Sequence, residues 1–269
     1  MKDWYARVRA SVLARGAGAC GAAPVELGET RCAVCAAFSY LAEDRDAPIC
    51  RYARGRDYHR ALAEALEPAA ELLRAEGHAA RVCADISPLP EVETALRAGL
   101  GMRGRNGLLI VPGLGSWVVL GCILTSAPPP EEAPPVRDCR GCGACLRACP
   151  TGALTERGVD PERCLSAVTQ RRGALTPEEE DAMRRTGTLW GCDVCQSVCP
   201  ENRNAGRAAL PAFREELIYD LTPAMLAGVS ERGLRRLFPE RAFTWRGAAV
   251  LRRNAEILHG KNAEEPVKF

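Results

Sequence analysis

The sequence is poor in lysine and histidine. Of 36 basic Lys and Arg side chains only Lys2, Lys261 and Lys268 are lysines, and there are three histidines. The arginine bias reads as genomic codon usage. No apolar run approaches the roughly 18 residues that a membrane-spanning helix needs. Arginines interrupt the N-terminal stretch MKDWYARVRASVLARG before a signal-peptide core can form. A cytoplasmic protein with no membrane association is expected. An excess of one charge is also lacking. The net charge of +2 excludes a strongly basic chain that coats nucleic acid, although local patches stay open. There is no Walker A sequence. Gly99-Leu-Gly101-Met-Arg-Gly104 spells GxGxxG, but it follows a helical pattern rather than a strand, which argues against a dinucleotide fold. With 47% hydrophobic residues, global disorder is excluded as well.

Cysteine is what the chain has in excess, with 14. Without a secretion signal, that number points to metal or redox chemistry rather than to disulfides. Cys139-x2-Cys142-x2-Cys145-x3-Cys149-Pro150 has the spacing of a bacterial ferredoxin. Three thiolates two residues apart wrap one corner of an iron–sulfur cube, and the fourth faces away toward a second cluster. Gly141 and Gly143 free the loop to turn backbone N–H groups toward sulfide. Cys192-x2-Cys195-x3-Cys199-Pro200 repeats the end of the motif, but Leu189 stands where its first cysteine belongs. Cys164, across a 27-residue insertion, is the replacement. Exchange between the two halves then assigns Cys139, Cys142, Cys145 and Cys199 to one [4Fe–4S] cluster. Cys149, Cys164, Cys192 and Cys195 go to the other. A pair of zinc sites is the alternative for paired C-x2-C motifs. Cys20, Cys32, Cys35, Cys50, Cys83 and Cys122 lie outside this pattern and read as small core hydrophobes, with a redox or metal role for Cys32-x2-Cys35 as the other reading.

The fold class expected is α+β. Residues 1–127 read as a mixed α/β unit. Helices are expected over 4–13, over 58–76 (broken or kinked at Pro68) and over 91–97. Strands are expected over 32–41 and 80–84, and 108–111 pairs with 117–120 as a hairpin. Residues 128–138 form a proline-rich linker, since SAPPPEEAPPVR can be neither helix nor central strand. Residues 139–205 form the ferredoxin-like double-cluster domain. Residues 206–269 form a short helical C-terminal segment, clearest over 221–227 and 246–258.

Several stretches resemble the epoxyqueuosine reductase family. These are Arg51-Tyr-Ala-Arg54-Gly55-Arg56-Asp57-Tyr58-His59, Asp85-Ile-Ser-Pro88-Leu-Pro-Glu91, Ala98-Gly99-Leu-Gly101-Met-Arg-Gly104-Arg-Asn106-Gly-Leu-Leu-Ile110, Gly115-Ser116-Trp117-Val-Val-Leu120-Gly121, Arg163-Cys164-Leu-Ser166 and Trp190-Gly191-Cys192-Asp193-Val-Cys195-Gln196-Ser-Val-Cys199-Pro200. They run in order from residue 51 to about residue 204. The resemblance implies a cobalamin-dependent reductase with two [4Fe–4S] clusters. Such an enzyme reduces the epoxide of epoxyqueuosine in a tRNA anticodon to the alkene of queuosine. Electrons come from a low-potential donor such as flavodoxin or ferredoxin, and pass from cluster to cluster and on to cobalt. The cofactor carries the difficult chemistry, and the protein supplies position and protons. Departures are Met102 for a usual Trp and Arg105 for a usual Lys. Part of the usual N-terminal segment and the C-terminal helical-repeat domain are missing from these 269 residues.

By the resemblance, Asp85 sits at the proton-donating position. An apolar wall that raises its pKa would suit that role, and capping of the turn before Pro88 is the plain reading. Arg54, Tyr58, His59, Gly99, Gly101, Gly104, Asn106, Ser116 and Trp117 are the expected cofactor-binding residues. The glycines would let backbone approach a flat corrin, and otherwise they cap and turn a helix. Trp117 also suits the core. His59 and His78 are conceivable cobalt ligands, with His78 read as surface. Arg51, Arg54, Arg56 and Arg60, with Arg171-Arg172, Arg184-Arg185, Arg235-Arg236 and Arg252-Arg253, form either a phosphate-binding rim or a solvated face. Two other functions fit the cysteines. One is a ferredoxin-type electron carrier. The other is a related corrinoid reductase acting on a non-tRNA substrate such as an organohalide, although the N-terminus lacks the twin-arginine signal usual in dehalogenases.

Overall fold

The computed structural model describes residues 4–85, 87–130 and 135–260. Chain contacts divide it into two units, each assembled from three separate segments. The first takes residues 1–42, 58–142 and 200–214, and the second takes 43–57, 143–199 and 215–269.

The first unit is built on an antiparallel sheet. Its strands are β1 (Ala19–Leu27), β2 (Thr30–Ser39), β3 (Ala80–Cys83) and β6 (Val118–Thr125), in the order β1-β2-β6-β3. Two short strands, β4 (Met102–Arg103) and β5 (Leu109–Ile110), pair antiparallel beside β7 (Arg137–Asp138). Helix α1 (Trp4–Ala14) turns Val8 and Val12 inward. Helix α2 (Arg51–Arg54), a single turn, belongs to the second unit. Helix α3 (Tyr58–Ala75) packs with α1 over β3 and β6, and α4 (Glu91–Arg97) covers the other face. Covered on both sides, β2 is buried over nearly its whole length, as a continuous apolar run requires. Alternate residues Ala33, Cys35 and Ala37 face α4. All pairings within this sheet are antiparallel, so the α+β class holds.

Two local expectations are corrected. Pro68 neither breaks nor ends α3. Burial of Leu62, Leu66 and Leu73, at roughly 1.5–3 kcal/mol per side chain, outweighs the ~3 kcal/mol cost of an interior proline. Residues 108–111 and 117–120 do not pair as a hairpin. The first run joins β4, the second enters β6 and joins β2, and only the bridge Val111–Gly115 closes the turn between them. Strand β1 was not expected at all. The linker expected over 128–138 lies outside the described residues at 131–134, and its end forms β7.

The second unit holds helices α5 (Ala144–Ala148), α6 (Leu165–Gln170), α7 (Pro177–Thr186), α8 (Val194–Ser197), α9 (Pro223–Leu226), α10 (Glu231–Leu237) and α11 (Ala248–His259). It also holds the hairpin β8 (Leu154–Thr155) and β9 (Gly158–Val159). Thr176 and Glu179 form a reciprocal capping box at the start of α7, with Pro177 in its first turn and Gly187 left-handed at its end. These are ordinary start and stop signals. Helix α11 packs on α6, α7 and α9. Its fully buried Asn254 donates to the Thr169 and Leu189 carbonyls, at 2.7 and 2.9 Å. Among the described residues no helix is long and apolar enough to cross a membrane.

Candidate active site

In the first unit, Asp85 follows β3 with φ of +59°. That left-handed conformation costs an ordinary residue roughly 1–2 kcal/mol, although Asp tolerates it better than most. It brings the carboxylate to the start of α3. The Tyr58 hydroxyl donates to Asp85 Oδ2 at 2.7 Å, and His59 Nε2 lies 3.3 Å from the same oxygen. The two rings stack with centroids 4.2 Å apart. The Asp85 side chain is 60% exposed, so the group faces solvent. Tyr58, His59 and Asp85, three expected site residues, are therefore brought together.

The electrostatics differ from expectation. Hydrogen bonding from His59 holds the Asp85 carboxyl below its usual range, against a smaller upward push from burial, and Tyr58 adds to the lowering. No apolar wall raises it. Glu91, the first residue of α4, behaves in the opposite way. Burial pushes its pKa up and the neighbouring Asp85 charge pushes it further, while the Asp85 backbone N–H offsets part of this. Glu91 Oε1 is buried without a hydrogen-bond partner. Glu91 lies within one of the family-like stretches and has no role on sequence grounds alone. Its position six residues after Asp85 was the available signal.

Other expected cofactor residues serve the protein's own packing. Arg54, nearly fully buried in the second unit, donates to the carbonyls of Ile49 and Arg45, both at 2.7 Å. Ser116 is buried, with its N–H and hydroxyl both bonded to Asn202. Trp117 is buried edge-to-face on Tyr40. Buried Asn106 accepts from the Leu108 N–H. A Cβ at Gly101 would stand 2.1 Å from the Ile110 carbonyl oxygen, and one at Gly104 would stand 2.4 Å from Asn106 Oδ1. Local packing thus already requires glycine at both positions. Gly99 closes α4 with φ of +75°. His78 lies at the end of α3, half-exposed.

In the first unit, the Cys139 N–H donates to the Arg103 carbonyl at 2.9 Å, and Arg105 donates to the Gly141 carbonyl at 3.2 Å. Gly141 has φ of +70°, so the turn between Cys139 and Cys142 favours glycine. In the second unit, α5 and α8, which carry Cys145 and Cys195, pack side by side. Burial pushes the Cys149 thiol up, but the backbone N–H groups of Leu154, Thr151 and Ala153 outweigh it and hold the pKa down. Burial pushes Cys192 up to about 11, against a contribution from the Val194 N–H. Donors aimed at sulfur are what an iron–sulfur thiolate requires. Among the described residues no three of His, Cys, Asp and Glu converge as a single-ion site. A four-iron cube spreads its thiolates over four metals, so its ligands need not meet at one point.

The segment leading into Cys192 is tightly built. Trp190 is fully buried, and a Cβ on Gly191 would stand 2.0 Å from Cys50 Sγ. Partly buried Asp193 accepts from the Arg51 N–H at 2.8 Å and from its guanidinium at 3.4 Å. This pair lines a cavity of about 270 Å³ together with Cys50, Arg54 and Cys192. Sequence reasoning missed the Arg51–Asp193 pair, which joins positions 142 residues apart. The cysteines outside the cluster motifs are buried, except for half-exposed Cys20. Desolvation pushes Cys20, Cys32 and Cys122 up to about 12, so they remain neutral thiols.

Comparison with known proteins agrees with these features. Residues 138–202 match the 4Fe-4S double cluster binding domain, and residues 25–86 match the profile of epoxyqueuosine reductase QueG, DUF1730. The epoxyqueuosine reductase of Gloeobacter violaceus is 36% identical over 251 residues, covering 87% of this chain and 77% of its own length. That of Listeria monocytogenes is 34% identical over 248 residues, covering 86% of this chain and 64% of its own length. The chain thus spans just under two thirds of the length of several curated relatives. The crystal structure of an epoxyqueuosine reductase with a tRNA-Tyr epoxyqueuosine-modified stem loop superposes with a TM-score of 0.84 at 25% identity, over 94% of this chain and 80% of the other. On the strength of the double-cluster motif, the Asp85 constellation and these relatives, the chain belongs to the epoxyqueuosine reductase family.

Proposed function

We propose that the chain reduces epoxyqueuosine in tRNA to queuosine in the cytoplasm, using cobalamin and two [4Fe–4S] clusters. Cys139, Cys142, Cys145 and Cys199 hold one cluster, and Cys149, Cys164, Cys192 and Cys195 hold the other. When bound, cobalamin supplies strongly reducing, nucleophilic chemistry, and the clusters supply electrons singly. Epoxide deoxygenation takes two electrons and two protons and releases water, so a proton-handling edge must come from the protein. The observation that carries this reading is the convergence of Tyr58 and His59 on Asp85 Oδ2. These three groups fit a cofactor that brings electrons but no protons.

Asp85 presents its carboxylate to the substrate oxygen and passes the proton. His59 and Tyr58 hold that proton and orient the carboxylate, whose lowered pKa speeds release once it is protonated. A protein that only carries electrons has no use for such a group. We assign cofactor contact first to Tyr58, His59 and the 99–104 loop, with Arg54, Asn106, Ser116 and Trp117 also making internal contacts. The electron donor is a low-potential carrier of the flavodoxin or ferredoxin class. Asp85→Asn tests the reading. It should retain cobalamin and clusters while losing about 10²- to 10⁴-fold in rate, the usual contribution of a positioned acid or base. Turnover within a few-fold of wild type rules out the assigned role of Asp85.

A further inference from the structure

The second unit carries a second cavity, of about 770 Å³, outside the cysteine loops. Its walls include Arg172, Arg235, Arg246, Arg253 and Trp245, and among its described lining residues Glu231 is the only acid. Glu231 is already engaged, since its Oε1 accepts from the Ala248 N–H at 2.9 Å. Arg253 is engaged too, donating to the carbonyls of Arg171 and Gly173 and so forming a fixed floor. Arg172 and Arg235 are exposed, and among the described residues neither is paired with a carboxylate. Arg246 stacks on the Trp245 ring, 3.6 Å from its centroid. Its Nε is buried without a hydrogen-bond partner.

Trp245 is 58% exposed. Its indole N–H donates to Gln170 Oε1 at 3.1 Å, which holds the ring in place. A fixed, exposed aromatic backed by a guanidinium is a stacking platform for an unpaired base. Unpartnered arginines around it suit phosphodiester oxygens. Unpaired loops are the part of an RNA whose bases are free to stack in this way.

We propose that this cavity docks an unpaired nucleotide of the RNA substrate, with its base on Trp245 and flanking phosphates on Arg172, Arg235 and Arg246. The inference rests on the tRNA reading above and adds to it the surface that grips the RNA. The cluster- and cobalamin-loaded full chain is titrated against a labelled tRNA anticodon stem loop at several salt concentrations. The variants are Arg172→Gln/Arg235→Gln, Trp245→Ala and the conservative Trp245→Phe, each first checked for the wild-type visible spectrum and melting temperature. Trp245→Ala should weaken binding roughly 5- to 160-fold, the range for loss of one stacked base, with Trp245→Phe retaining most of the affinity. The double arginine variant should lower the slope of log K against log[salt] by about 1.4, at about 0.7 per lost phosphate contact. Wild-type affinity and slope in these variants overturn the cavity assignment and leave the tRNA reading standing. Failure of the wild-type chain to bind the stem loop overturns both. Displacement by an equal concentration of a free nucleoside monophosphate shows a mononucleotide site and overturns the RNA assignment.

Discussion

At the scale of single residues, the site turns on one carboxylate oxygen that takes two partners. Because His59 contributes most to the lowered pKa of Asp85, His59→Ala should let it rise toward the ordinary value near 3.9. The limb of the pH–rate profile that reports Asp85 ionisation should then move to higher pH. A limb that stays in place contradicts the coupling. Glu91 gives a stability test of opposite sign. Its pKa is raised in the folded state, so folding favours the protonated form, and the wild type loses stability as pH rises through that range. Glu91→Gln removes this penalty and should melt higher than wild type near pH 7. The gain should vanish below about pH 4, where the wild-type side chain is protonated as well.

At the scale of elements, Pro68 shows how packing overrides a local signal. With helix on both sides of it and three buried leucines holding α3 down, Pro68→Ala should restore a backbone donor and stabilise the protein by about 1–3 kcal/mol. Unchanged or lowered stability in chemical denaturation would show that the proline ring itself contributes to packing. Helix α3 was legible because its apolar spacing is strong and local. Strand β1 was not, since Ala19–Leu27 mixes small, polar and Pro residues and is held by pairing with β2. The partners of β6 were hidden for the same reason. Its register runs to residues 32–39 and 80–83, and no turn residue encodes so distant a pairing. The sequence reads the glycines at 101 and 104 as room for a flat cofactor or as a helix cap and turn, whereas a close carbonyl and a close side chain that already call for them appear only in three dimensions.

At the scale of the whole molecule, the cysteine spacing made the cluster chemistry readable because all the proposed ligands lie in two short motifs and one outlier. The grouping of segments 43–57 and 215–269 with residues 143–199 was not readable, since it rests on distant partners such as Arg51 with Asp193 and Arg56 with Glu240. The outlier can be tested separately. Cys164→Ser should remove roughly half the iron and half the broad visible absorption while leaving the other cluster in place. Full iron content in that variant would move the ligand to another residue. The most direct measurement is anaerobic turnover. The chain is loaded with iron–sulfur clusters, given a chemical reductant and epoxyqueuosine-containing tRNA, and the nucleosides are analysed by mass spectrometry with and without cobalamin. Conversion of epoxyqueuosine to queuosine only when cobalamin is present is the predicted result. Retained clusters, bound cobalamin and bound tRNA with no loss of the epoxide oxygen would contradict the proposed activity.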